Sequence, residues 1–173
     1  IIKRHKAHVN VYVDGLAASI ASVIAMSGDV IFMPANAMMM IHNPWTLAQG
    51  NADELRKQAD DMDRIRESLI EAYLGKAGEK LDRDRLIALL DAETWLTAQE
   101  CLELGLCDSI EAPKQVAAKV DTKLFASYRN TPDALLNQTQ EDEKQAERER
   151  LEREQLIAEA QTNLLKLKNG GII

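Results

Sequence analysis

Aromatic side chains are scarce: two Phe, two Trp and three Tyr make up 4% of the 173 residues. A core built from this chain is therefore filled by aliphatic side chains and by methionine, of which there are six, a flexible residue suited to irregular gaps. Cysteine is held to Cys101 and Cys107, on either side of LELGL. Without CxxC spacing or a histidine cluster, neither a zinc site nor a disulfide framework is indicated, and a reducing compartment fits. Positive charge is in deficit, with 21 Lys and Arg against 28 Asp and Glu, a net −7. Phosphate binding needs a basic stripe, so nucleic acid is excluded as the main ligand. No apolar run reaches the roughly 18 residues that cross a bilayer. Asp29 interrupts the longest candidate, from Leu16 through Ile41, and the chain reads as soluble. The opening IIKRHKAH has neither an initiator Met nor a signal-peptide pattern.

What is present permits one ordinary core of about 110 to 130 residues with an appendage. HVNVYV alternates and is β-branched, predicting a strand from Val9 to Val13. The following GLAASIASVIAMSG predicts a buried helix that ends at Gly28. DVIFMP and AMMMIHNP, bounded by Pro34 and Pro44, predict two more buried strands. Asn51 and Glu54 form a capping-box start for a long amphipathic helix from Ala52 to Tyr73. Asp82 caps a short helix at DRDRLIALL; Thr97 with Glu100 opens AQECLEL, which Gly105 ends; LCDSIE reads as an edge strand. The alternation predicts an α/β layer fold. From Thr131 aromatics vanish and Glu and Arg recur three or four residues apart, predicting a helical tail. Its apolar positions are sparse until Leu156, Ile157, Ala160, Leu164 and Leu167, so no heptad seam runs along it. The expected organisation is a domain over 1–128 and a charged helical tail over 129–173.

Ser19 follows small residues at the junction of the first strand and helix. There its hydroxyl lies near unpaired backbone N–H groups that stabilise a developing oxyanion. Ser22, one turn on, is a competing hydroxyl. A serine nucleophile needs a base. His42 qualifies, emerging where a buried strand meets a loop, whereas His5 and His8 sit in a basic cluster before the first strand and read as surface residues. The carboxylate that fixes an imidazole tautomer is assigned to Asp91 in DAETW, with Asp14, Asp29, Glu93 and Asp108 as alternatives. Each group also has a plainer reading: a serine fitting a tight turn, a hydrogen-bonded structural histidine, an aspartate ending a helix.

Three segments together, GLAAS, MPANAMMMIHNP and DAETWLTAQECLELGLCDSI, resemble the ClpP-type serine peptidases over about Val9 to Ile110. The resemblance implies a crotonase-like α/β spiral and a Ser-His-Asp triad at Ser19, His42 and Asp91. It also implies a homo-oligomeric ring in which the long helix suits subunit packing, and acyl transfer to a peptide substrate with no metal or cofactor. The family's glycine-rich strand and loop would precede residue 1. The chain is therefore expected to be truncated at its amino end, keeping the Ile20 N–H as oxyanion donor and losing turnover. DAETWLTA and the charged tail are similar to the phage branch that processes capsid or scaffold proteins in head maturation, which places the protein in a bacterial host cytoplasm or procapsid. Two rivals remain: an assembly protein with a peptidase-like body that cleaves nothing, and a crotonase-type acyl-CoA enzyme. The latter would normally use glutamates rather than a serine-histidine pair.

Overall fold

The computed structural model describes residues 2–114, 128–133, 135, 147–148 and 150–157. The chain divides into two units, residues 1–118 and 119–173. In the second unit residues 150–157 are helical, and Arg150 lies 3.4 Å from Glu147 and 3.5 Å from Glu154. Most of the expected tail lies outside the described residues.

Among its described residues the first unit holds six short strands and four α-helices. In chain order these are β1 (Asn10–Tyr12), β2 (Leu16–Ala18), α1 (Ile20–Ala25), β3 (Val30–Pro34), β4 (Met38–Ile41), α2 (Ala52–Ala77), α3 (Arg83–Asp91), β5 (Thr94–Thr97), α4 (Ala98–Glu103) and β6 (Ser109–Glu111). They build two three-stranded sheets, ordered β1-β3-β6 and β2-β4-β5. The chain visits the sheets in turn: β1 and β3 pair parallel in one, β2 and β4 pair parallel in the other. This winding fits the expected spiral. β6 closes the first sheet in parallel, while β5 runs antiparallel to β4.

Two elements differ from the sequence expectation. GLAAS was expected to open a helix, yet Leu16–Ala18 form a strand and α1 begins only at Ile20. Pairing with Met38–Met40 outweighs the helix propensity of alanine, a local preference worth only tenths of a kcal/mol per residue. No strand is expected after α3, yet Thr94–Thr97 form β5, an added edge that Thr and Trp tolerate well. The helix expected to run buried to Gly28 is α1, which ends at Ala25 with Ile20 and Ile24 exposed; the capping signals hold. Both capping boxes form, at Asn51 with Glu54 and at Thr97 with Glu100. Asp82 accepts from the Arg85 N–H, and α2 continues one turn past Tyr73 to Ala77. Gly105 takes a positive φ of 72°, and a Cβ there would stand 2.7 Å from the Ala77 carbonyl oxygen, so only glycine fits the turn between α4 and β6.

The core is aliphatic and methionine-rich, as the shortage of aromatics requires: Met26, Ile31, Met33, Met39, Met40, Ile41, Ile70, Leu86, Leu90 and Leu106 are fully buried. Each such side chain contributes about 1.5–3 kcal/mol of transfer free energy. Tyr73 is the one aromatic ring among the largest fully buried side chains. Among the described residues no helix is long and apolar enough to cross a membrane.

Candidate active site

The site forms where β2, β4 and β5 meet the first turn of α1. Ala18 is in register with Met40, and Met40 with Trp95. Because β5 runs antiparallel, its beginning lies beside the ends of β2 and β4. The residues just beyond the paired segments, Ser19 after β2, His42 after β4 and Glu93 before β5, are thereby delivered to one edge of the sheet. Extending the pairing of Ile41 with Thr94 by one step sets His42 opposite Glu93.

Ser19 takes the N-cap position of α1, yet its side chain makes no cap hydrogen bond, the usual use of serine there. Its hydroxyl instead lies 2.8 Å from His42 Nε2. Its backbone is at φ 55° and ψ −123°, a conformation costing a non-glycine residue about 1–3 kcal/mol and persisting only where the surroundings enforce it. The Ser19 N–H donates to the Met40 carbonyl at 3.0 Å, and the Ser19 carbonyl accepts the Ser22 N–H at 3.0 Å. Ile20 begins α1, so its N–H is one of the helix-start donors that the helix itself leaves without a carbonyl.

His42 is half-buried, and its pKa lies below 6.5: burial, which penalises imidazolium, outweighs the opposing pull of the Glu93 carboxylate. The ring is neutral at pH 7, as a base must be. An Nε2 that accepts the Ser19 proton carries its own proton on Nδ1.

The expected role of Asp91 is redirected by the structure. Asp91 ends α3 and is exposed. Its Oδ1 accepts Arg66 Nη2 at 2.6 Å and Asn43 Nδ2 at 2.7 Å, so it ties α2 and the residue after the base to α3. The carboxylate whose charge acts on His42 is Glu93, partly buried and also in the left-handed region at φ 51°. Sequence analysis predicts no strand in DAETW and so supplies no register to choose between Asp91 and Glu93. Once Thr94–Thr97 is recognised as a strand paired with β4, the register selects Glu93. The remaining alternatives are occupied elsewhere: Asp14 by Lys114 at 3.0 Å, Asp29 by the Val9 N–H at 2.7 Å, and Asp108 by Lys76 at 2.7 Å.

Ser22 is fully buried, with its hydroxyl committed to the Ser19 carbonyl and the Tyr73 hydroxyl, which removes it as a rival nucleophile. His5 and His8 are exposed. The two thiols are free and buried; burial pushes both pKa values up, that of Cys107 to about 11, so neither supplies a thiolate at neutral pH. Among the described residues no group of three or more His, Cys, Asp or Glu could hold a metal ion.

Beside Ser19 and His42 opens a cavity of about 220 Å³ lined also by Ile20, Val23, Pro44, Trp45, Ile65, Leu69 and Tyr73. It is smaller than the roughly 300–1,000 Å³ of a drug-sized site and suits one apolar side chain.

A family model described as Clp protease matches residues 1–114. The chain is also similar to the ATP-dependent Clp protease proteolytic subunit 1 of Protochlamydia amoebophila, 35% identical over 113 residues, covering 63% of this chain and 54% of that protein. The chain thus spans about half the length of that relative.

Proposed function

The chain belongs to the Clp protease family, and from that premise we propose that it is a serine endopeptidase working through Ser19, His42 and Glu93. The observation that carries the reading is the 2.8 Å contact between His42 Nε2 and Ser19 Oγ, made by a serine in a strained conformation that forgoes its cap bond. A structural serine has no need of either.

In this mechanism Ser19 Oγ attacks the peptide carbonyl as its proton passes to Nε2; His42 then protonates the leaving amine, and water cleaves the acyl-enzyme by the same route. Glu93 holds the Nδ1 proton and stabilises imidazolium. The Ile20 N–H donates to the oxyanion. The apolar cavity takes the side chain next to the scissile bond and favours an aliphatic residue there. Asp91 serves indirectly, fixing Asn43 and with it the chain that leaves His42.

The finer reading is that of a head-maturation enzyme: substrates drawn from capsid or scaffold proteins, a homo-oligomeric ring, and action in the host cytoplasm or procapsid. Its support is the likeness of DAETWLTA and the Glu- and Arg-rich segment after Thr131 to the phage branch.

A fluorophosphonate probe tests the activity. Labelling at Ser19, found by peptide mass spectrometry and lost in His42→Ala, is the expected result. A full-length gene product that is folded and stays unlabelled returns the chain to the non-cleaving assembly reading.

A further inference from the structure

The hydroxyls of Ser22 and Tyr73 are buried, 0% and 1% exposed, and the acyl-transfer steps leave both unused. We propose that Ser22 and Tyr73 are positioning residues: a two-hydroxyl relay from α2 that clamps the carbonyl of Ser19 and thereby aims the nucleophile at His42. The chemical consequence rests on the hydrolase reading above, while the conformational claim does not.

Hydrogen counting fixes the direction of the relay. Ser22 Oγ lies 2.6 Å from the Ser19 carbonyl oxygen, and a carbonyl only accepts, so the single Ser22 hydroxyl proton is used there. Tyr73 Oη lies 2.6 Å from Ser22 Oγ and must therefore supply its own proton to Ser22. The phenol remains a donor at every working pH, because burial pushes its pKa up to about 12 against the opposing Ser22 bond.

A serine hydroxyl that bonds back to a carbonyl one turn earlier is common in helices and is by itself neutral or slightly unfavourable. What differs here is the acceptor, the carbonyl of a residue with φ 55°. The peptide on the other side of Ser19 is fixed by its N–H bond to Met40, 3.0 Å long. With both flanking peptides held, relaxation of the strained residue is blocked. A buried pair of apolar side chains would fill the same space at little cost to stability, so two buried hydroxyls contribute something that packing does not: a directional hold. Tyr73 also lines the cavity beside Ser19, so the residue touched by an entering side chain is the one that sets the nucleophile.

The test uses the full chain and three variants, Tyr73→Phe, Ser22→Ala and the double variant, each checked for the native circular dichroism spectrum. Tyr73→Phe keeps the ring and removes only the donor. It is expected to slow the limiting rate of Ser19 acylation by fluorophosphonate about tenfold, with the half-saturating probe concentration unchanged within about twofold. The double variant is expected to be no slower than Ser22→Ala, since the phenol acts only through Ser22. Losses that multiply in the double variant would mean that Tyr73 acts by packing, and would overturn the relay. Amide hydrogen exchange at Ser22, whose N–H bonds the Ser19 carbonyl, reads the clamp without any chemistry and is expected to accelerate about tenfold in Tyr73→Phe. Unchanged exchange overturns the inference even if acylation slows. An unlabelled wild-type chain, by contrast, sinks the hydrolase reading and leaves exchange to decide the clamp.

Discussion

The two sheets of the first unit have three strands each, and each carries a carboxylate beside a strand end, but the two carboxylates are used differently. In β1-β3-β6 the carboxylate is Asp108. It accepts the Ile31 N–H at 2.6 Å and Lys76 Nζ at 2.7 Å, and the Lys76 side chain is only 10% exposed. Charge and backbone demands are met by Lys76 of α2 and the Ile31 N–H of β3, so the cluster stitches β3, α2 and the start of β6 together. In β2-β4-β5 the backbone at Ser19 and Glu93 is left-handed, the histidine is destabilised as a cation, and a cavity opens beside them. Strain and desolvation cost stability and persist where function requires them. One sheet closes its polar groups on one another; the other leaves a serine hydroxyl and an imidazole in contact beside a cavity.

The contrast breaks most visibly at the nucleophile and base. Ser19→Ala and His42→Ala are expected to cut turnover of a peptide substrate by about 10⁴-fold or more, measured as product formed per folded molecule; an activity that survives Ser19→Ala would move the chemistry elsewhere. Next in size is the carboxylate. Glu93→Gln is expected to lower acylation about 10²- to 10⁴-fold and Asp91→Asn less than about tenfold. The opposite ranking, read by probe-labelling rates, would restore Asp91 to the triad.

The pH profile sharpens the same point. Activity requires neutral His42, so the rate is expected to fall on acidification with an inflection below pH 6.5. Glu93 raises the His42 pKa, so Glu93→Gln is expected to move that inflection further down, whereas Asp91→Asn leaves it in place. An upward shift in Glu93→Gln would contradict the assignment. The smallest effect on chemistry belongs to the other sheet. Asp108→Ala strands the Ile31 N–H and Lys76, and is expected to cost about 1–3 kcal/mol in urea unfolding while acylation per folded molecule stays within about twofold.

Much of this was legible without coordinates. Capping boxes at Asn51 and Thr97, the Asp82 cap and the apolar runs of β3 and β4 are local signals, and they produced the elements where expected. Ser19 and His42 were also legible, since both lie where an apolar run meets small or loop-forming residues. The carboxylate was not. Its choice depends on which residue of DAETW faces β4, and that follows from a pairing between segments more than fifty positions apart. The Ser22 and Tyr73 contact, 51 positions apart, left no signal in either neighbourhood.

By itself, then, the sequence determined what short-range physics determines: a methionine-rich aliphatic core, the caps that start its helices, and a serine and a histidine of the right kind at the right boundaries. Only the tertiary structure decided that GLAAS begins with a strand, that β5 enters antiparallel, and that Glu93 rather than Asp91 comes opposite the base. The reason is that strand register and backbone strain are set by long-range hydrogen bonding, where one residue of slip exchanges one face for the other, and no local pattern records which partner will be there.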